Sequence, residues 1–143
     1  MKPENHDMQF LIPSRLDALG RVERIVQKIA ERIGLSKDEH DNLAIAVTEA
    51  VGNAILHGNK KDPKKKVEVT AVLSKDRVEV TVKDQGVGFN PDHIGNPLDP
   101  QNLMKEHGRG IFILKSLMDE VAFQFSATGT SVRMVLVKKD MPV

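Results

Sequence analysis

Two polar residues, Glu49 and Asn53, stand out in a long and mostly apolar stretch of the chain. Their spacing of four residues places them on one face of a helix, opposite the face that carries the apolar core positions. An ordinary solvated face would carry several charges, but the neighbours here are Ile45, Gly52 and Leu56. A carboxylate and an amide in apolar surroundings predict a functional site. The alternative is a partly buried Glu that is satisfied by the backbone or a nearby cation.

A second pair, Asp84 and Thr130, is predicted to point into the protein. Each shares the strand parity of three apolar residues, which are Val78, Val80 and Val82 for Asp84 and Val132, Met134 and Leu136 for Thr130. A buried carboxylate needs hydrogen-bond donors, because an unpaired charge there is strongly destabilising. A ligand with an amino group beside a ring nitrogen, such as adenine, would supply the matching edge. The alternative is a turn in which the Asp side chain accepts from the following backbone amides.

Two glycine pairs accompany these residues. Gly86 and Gly88 follow Asp84, so the backbone there can approach a ligand closely. The Gly108-Arg109-Gly110 run lies at the start of a predicted helix, where free amides and the helix dipole favour an anion and Arg109 adds a fork for phosphate oxygens. The sequence contains no P-loop, no dinucleotide-binding glycine motif, and none of the signature elements of eukaryotic-type protein kinases.

The periodicity around these residues predicts an α/β (α+β) fold: an antiparallel-rich mixed sheet with three main helices on one face. Helical spacing and capping residues indicate one helix that Ser14 and Asp17 cap and Gly34 ends, and a second that Ser36 and Glu39 cap and that stops near Gly58. The segments of alternating or helical period are a strand at 9–12, a hairpin at 67–73 and 78–82, a helix at 111–118, and a hairpin at 121–125 and 132–136. The segment between the first hairpin and the third helix has no period and is predicted to be a functional lid.

Composition limits the classes of function. The chain has 143 residues, which predicts one domain over 1–143, and no cysteine for disulfide or thiolate chemistry. Its formal net charge of +1 gives no case for direct nucleic-acid binding. No apolar run is long enough to cross a membrane, so a cytoplasmic location without membrane attachment is predicted.

Taken together, the motifs resemble those of the GHKL, or histidine-kinase-like, ATPase superfamily. The segment 49–58, Glu-Ala-Val-Gly-Asn-Ala-Ile-Leu-His-Gly, is similar to its N-box, and 84–88 and 108–110 are similar to its adenine-binding and second glycine boxes. Three further stretches resemble the small anti-sigma-factor serine/threonine kinases within that superfamily, and these are 97–103, 108–112 and 117–121. The match runs from about Phe10 to Val137 and includes Thr130 and its neighbours.

This resemblance implies a Bergerat-type ATP-binding fold in two layers, with an ATP lid at about 89–107. Asn53 would hold Mg²⁺ at the phosphates, and Glu49 would act as the catalytic base. Asp84 would accept from the adenine amino group with help from Thr130. The glycine residues Gly86, Gly88, Gly108 and Gly110, together with Arg109, would shape the rest of the nucleotide site.

The implied function is that of an ATP- and Mg²⁺-dependent anti-sigma regulatory factor. It would hold a sigma factor inactive, phosphorylate a Ser or Thr on a small antagonist protein, and form a homodimer. Two alternatives stay open: a nucleotide-gated binding module without kinase activity, and a detached histidine-kinase-like ATPase domain. Retention of both Glu49 and Asn53 favours the kinase, since binding alone could dispense with Glu49.

Overall fold

The computed structural model describes residues 6–86 and 109–139, which form a single sheet with three α-helices. In chain order the elements are β1 (His6–Pro13), α1 (Gly20–Ile33), α2 (Lys37–Asn53), β2 (Lys66–Leu73), β3 (Arg77–Lys83), α3 (Arg109–Leu117), β4 (Glu120–Ser126) and β5 (Gly129–Val137). A 3-10 turn at Leu16–Leu19 leads into α1, and a π-helical turn at Ala54–Gly58 extends α2.

The sheet has the strand order β1-β2-β3-β5-β4, and all four described pairings are antiparallel. Alternate residues of β2 and β3 are fully buried, while the residues between them are half-buried. This is the pattern of a sheet with one face on the core. The antiparallel pairings of β2 with β3 and of β4 with β5 confirm both predicted hairpins. The first strand is longer at both ends than the predicted 9–12, because its backbone pairs with the whole of β2.

All three helices pack on the inward face of this sheet, as predicted. The apolar stripes of α1 and α2, together with Leu114 of α3, join the inward strand residues in one buried cluster. Val26, Ile29 and Leu43 have no solvent exposure at all. Each such side chain stabilises the fold by about 1.5–3 kcal/mol, so helix packing rather than propensity holds α1 and α2 in place.

For the first two helices, three of the four predicted ends are confirmed and one is wrong. Ser36 and Glu39 form a reciprocal capping box, and Gly34 ends α1 in the left-handed conformation at φ +72°. The first helix is not capped by Ser14 and Asp17. Ser14 is buried and its hydroxyl donates to the Lys65 carbonyl, so it serves a long-range contact rather than a local cap.

The predicted lid at 89–107 lies outside the described residues. The third helix begins at Arg109, two residues before the predicted start. Among the described residues, no helix is long and apolar enough to cross a membrane.

Candidate functional site

Asp84 follows the last residue of β3 and is buried, with 6% of its surface exposed. Its Oδ1 accepts from two backbone amides, those of Gly86 and Thr130, each at 3.0 Å. The Asp84 amide in turn donates to the Thr130 carbonyl at 3.0 Å. Among the described residues, no hydrogen bond reaches Oδ2. The alternative interpretation therefore holds for Oδ1, which accepts from the turn, but it does not account for Oδ2.

Three glycines surround the Asp84 carboxylate so closely that no side chain fits. A Cβ on Gly58 would overlap the carboxylate and lie 2.7 Å from Asp84 Cβ. A Cβ on Gly86 would overlap the Gly58 carbonyl, and one on Gly129 would overlap the Asp84 carbonyl. Gly129 also has φ +149°, a backbone conformation that residues with a side chain rarely adopt. Gly58 thus lies against Oδ2 of Asp84, while Gly86 and Gly129 lie near Oδ1.

Thr130 lies beside Asp84, as its parity predicted, but it contacts Asp84 through its backbone. Its side chain is half-buried, and no hydrogen bond of its hydroxyl is found among the described residues. The hydroxyl therefore stays available to a ligand or a bridging water, next to the carboxylate that its own amide stabilises.

The second group of predicted residues comes together where α2 meets α3. A Cβ on Gly110, in the first turn of α3, would overlap the Glu49 carboxylate and lie 3.0 Å from Asn53 Nδ2. The carboxylate of Glu49 and the side-chain amide of Asn53 therefore converge on the backbone of α3. The first amides of an α-helix have no partner inside it, and its dipole is positive there. A carboxylate, a side-chain amide and the first turn of α3 thus lie close together.

The surroundings of Glu49 match the sequence prediction. Glu49 and Asn53 are half-buried, and the apolar side chains of Ile45 and Leu56 nearby remain 50% and 39% exposed. No described residue forms an ion pair with Glu49, so a neighbouring cation does not account for it. No backbone donor to the Glu49 carboxylate is found among the described residues either. The arrangement therefore favours a site over the alternative of a Glu satisfied by the backbone or a nearby cation.

One short segment joins the two ends of the site. Asn53 is the last residue of α2, and the π-helical turn that follows delivers Gly58 to the Asp84 carboxylate. A π-helical turn holds one residue more than an α-helical turn and is frequent at functional sites. Here it shifts the chain so that Gly58, and not a residue with a side chain, faces Asp84.

Of the remaining predicted site residues, Gly86 lies at Asp84 and Arg109 is the first residue of α3. Gly88 and Gly108 lie outside the described residues. Gly58 and Gly129 were not predicted as site residues. Gly58 ends the quoted N-box and Gly129 follows a turn, yet only the packing of the folded chain shows that both must lack a side chain.

The donor set at α2 and α3 fits Mg²⁺ held jointly with phosphates. Mg²⁺ is usually bound by one or two protein oxygens together with substrate phosphate oxygens. Asn53 offers a hard amide oxygen, and Glu49 offers a carboxylate beside it. Among residues 6–86 and 109–139, no three His, Asp or Glu side chains form a metal cluster.

Residues 12–136 match the family described as the histidine kinase-like ATPase domain. The serine-protein kinase RsbW of Bacillus subtilis is 31% identical over 140 residues, which cover 94% of this chain and 87% of that protein. RsbW of Bacillus velezensis is 34% identical over 89% of this chain and 82% of its own length.

Solved structures agree on the fold. The crystal structure of the RsbU and RsbW domains of a Mycobacterium tuberculosis protein superposes with a TM-score of 0.67 at 18% identity, over 94% of this chain and 33% of that one. A blue-light activated histidine kinase of Erythrobacter litoralis superposes with a TM-score of 0.57 at 19% identity, over 87% of this chain and 41% of that kinase chain. The chain therefore belongs to the histidine kinase-like ATPase domain family and, within it, to the serine-protein kinases of the RsbW type.

Proposed function

We propose that this kinase binds Mg-ATP between Asp84 and the start of α3 and transfers the γ-phosphoryl group to a serine or threonine of a small antagonist protein. The observation that carries the proposal is the convergence of Glu49 and Asn53 on Gly110. It sets a base and a metal ligand against backbone amides that favour phosphate. Positioning and charge neutralisation are most of what phosphoryl transfer requires of a protein.

Asp84 is the adenine-binding residue in this proposal. Its Oδ2 accepts from the exocyclic amino group, while its Oδ1 stays bonded to the Gly86 and Thr130 amides. Those two bonds hold the carboxylate in one orientation before the nucleotide arrives, which reduces the entropy lost on binding. The Thr130 hydroxyl assists at the same edge of the base. The glycines Gly58, Gly86 and Gly129 let the base approach the backbone.

Glu49 orients the attacking hydroxyl and receives its proton. The hydroxyl oxygen forms a bond to the γ-phosphorus while the bond from that phosphorus to the β,γ-bridging oxygen breaks, and that electron pair leaves with ADP. Mg²⁺, when bound, neutralises charge on the phosphate oxygens. Arg109 and Gly110, at the start of α3, would bind the phosphate oxygens, and Gly88 and Gly108 would contribute to the same site.

The regulatory partners belong to the proposal as well. The protein holds a sigma factor inactive, and phosphorylation of the antagonist decides which of the two it binds. The proposed assembly is a homodimer, the proposed location is the cytoplasm, and neither nucleic acid nor membrane is a direct partner.

The test is transfer of label from γ-labelled Mg-ATP into a lysate of the source organism, with wild type compared to Glu49→Gln. We expect one small protein to be labelled on Ser or Thr by wild type only, because the Gln amide cannot take the hydroxyl proton. Equal labelling by the two proteins would remove Glu49 as the base. No labelling by wild type, when ATP binding is confirmed separately, would favour the nucleotide-gated binding module.

A further inference from the structure

Asn59 is a buried polar residue next to the Asp84 end of the site, with 1% of its surface exposed. It follows the π-helical turn directly, and its backbone amide donates to the Ala54 carbonyl at 2.7 Å. Its side chain connects three separate parts of the chain. Oδ1 accepts from the Gln85 amide at 2.7 Å, and Nδ2 donates to the Ser14 hydroxyl at 2.9 Å and to the Lys66 carbonyl at 3.1 Å.

The orientation of this amide is dictated by its partners. The Gln85 N–H needs an acceptor and the Lys66 carbonyl needs a donor, so only one placement of oxygen and nitrogen satisfies both. All the hydrogen-bonding atoms of the Asn59 side chain have a partner. A fully satisfied buried network of this kind favours one arrangement of the segments that it joins.

The bond from Asn59 to Gln85 bears directly on Asp84. Gln85 is the residue after Asp84, and the residue before Asn59 is Gly58, which packs on the Asp84 carboxylate. A second bond, from the Lys66 amide to Gln85 Oε1 at 2.6 Å, holds the same residue from β2. Asn59 therefore ties the Asp84–Gln85 backbone to the segment that carries Gly58.

The backbone after Asn59 is strained in a way that agrees with a fixed position. Lys60 and Lys61 both adopt positive φ, at 52° and 58°, which is uncommon for residues other than glycine. Such conformations persist only where the surrounding structure imposes them. The Lys61 amide donates to the Ile55 carbonyl at 2.8 Å, so the chain turns back on the π-helical turn at once.

We propose that Asn59 is a positioning residue for base recognition, which holds the Asp84–Gln85 backbone against the π-helical turn so that Asp84 meets adenine. The proposal rests on the proposed role of Asp84 in adenine binding. Asn59 itself touches no nucleotide. A merely structural role would lower the stability of the fold and leave the preference for adenine unchanged.

The test compares the affinities of ATP and inosine triphosphate, which carries a carbonyl oxygen in place of the adenine amino group. Asn59→Ala removes the bond to Gln85 and should reduce the ratio of the two affinities by about tenfold, mostly through weaker ATP binding. Ser14→Ala is the matched control, because it removes one of the other two partners of the Asn59 side chain and leaves the Gln85 bond in place. It should lower the melting temperature with the ratio within about twofold of wild type.

Two further variants keep the proposal testable. Asn59→Leu fills the same space without polar atoms and serves if Asn59→Ala does not fold. Asn59→Asp retains an oxygen for the Gln85 amide but no donor for Lys66, so it should restore the ratio while the melting temperature stays low.

A folded Asn59→Ala or Asn59→Leu protein with the wild-type ratio would overturn the proposal, as would an Asn59→Asp ratio as low as that of Asn59→Ala. A wild type that does not prefer ATP over inosine triphosphate would instead overturn the role of Asp84.

Discussion

The two ends of the site are built in different ways. Asp84 is buried, is bonded by two backbone amides, and is enclosed by three glycines. Glu49 and Asn53 are half-buried and converge on one glycine of α3, with no ion pair to Glu49 among the described residues. Because its carboxylate is fixed by backbone bonds, we expect the Asp84 end to be rigid before any ligand binds. The Glu49 and Asn53 side chains have no hydrogen bond among the described residues, so we expect this end to be mobile. In the proposed function, the Asp84 end would recognise the base and the Glu49 end would take part in proton transfer.

The largest effect is expected at the rigid end, from Gly58→Ala. Its Cβ would overlap the Asp84 carboxylate, which cannot turn aside without losing its bonds to Gly86 and Thr130. We expect ATP affinity to fall by about 100-fold or more and stability to fall by about 1–3 kcal/mol. Calorimetric titration of the folded protein measures the first and thermal unfolding the second.

Gly20→Ala is the matched control for this substitution. A Cβ there meets nothing within 4 Å, and Gly20 lies at the start of α1 with helical φ and ψ. It should leave ATP affinity unchanged. Wild-type affinity in Gly58→Ala would show that the Asp84 end is not rigid, and the contrast between the two ends would disappear.

A smaller and different effect is expected at the mobile end, from Gly110→Ala. The new Cβ would meet the end of the Glu49 side chain, which can rotate away, so the fold should tolerate it. Displacing the base should lower the rate of phosphoryl transfer by about 10–100-fold and ATP affinity by less than about fivefold. Single-turnover kinetics measure the rate of transfer, and an equilibrium titration measures the ATP affinity. Loss of binding equal to that in Gly58→Ala would show that both ends recognise the nucleotide alike.

The smallest effect is expected far from both ends, at the cap of α2. Burial raises the pKa of Glu39, but bonds from the Lys139 and Ser36 amides outweigh it and hold the pKa below the ordinary value of 4.5. A carboxyl whose pKa is lowered by folding stabilises the protein above 4.5, and this stabilisation is lost as the pH falls through the folded-state pKa.

Glu39→Gln should therefore lower stability by less than about 1 kcal/mol at pH 7, and by less still at pH 3. Thermal unfolding at the two pH values measures the difference. ATP affinity should not change, which separates a general loss of stability from an effect on either end of the site. If the stability lost in Glu39→Gln became larger as the pH falls, the pKa of Glu39 would not be lowered in the folded protein.

The features that were predictable from sequence are those with a local cause. The hairpin of β2 and β3 follows from alternation, the cap of α2 from Ser36 and Glu39, and the end of α1 from Gly34. The convergence of Glu49 and Asn53 on one helix face follows from their spacing. Each of these patterns involves residues that are close together in the sequence, so it can be recognised without the folded structure.

What could not be predicted depends on residues that are far apart in sequence. Ser14 looked like a helix cap but binds Lys65 and Asn59, because a buried hydroxyl seeks partners wherever the fold supplies them. The π-helical turn and the requirement for Gly58 arise from the approach of α2 to Asp84. No local pattern encodes a contact between residues 59 and 85.

The most direct test of the contrast is the equilibrium binding of Mg-ATP to Asp84→Asn and Glu49→Gln, measured by the same titration. Asp84→Asn should lose about 100-fold or more in affinity, because the amide that replaces the carboxylate places a weaker acceptor or a donor against the adenine amino group. Glu49→Gln should bind within about threefold of wild type, since its proposed role begins with transfer. Micromolar binding by Asp84→Asn, or loss of binding by Glu49→Gln, would contradict the division of the site into a recognition end and a transfer end.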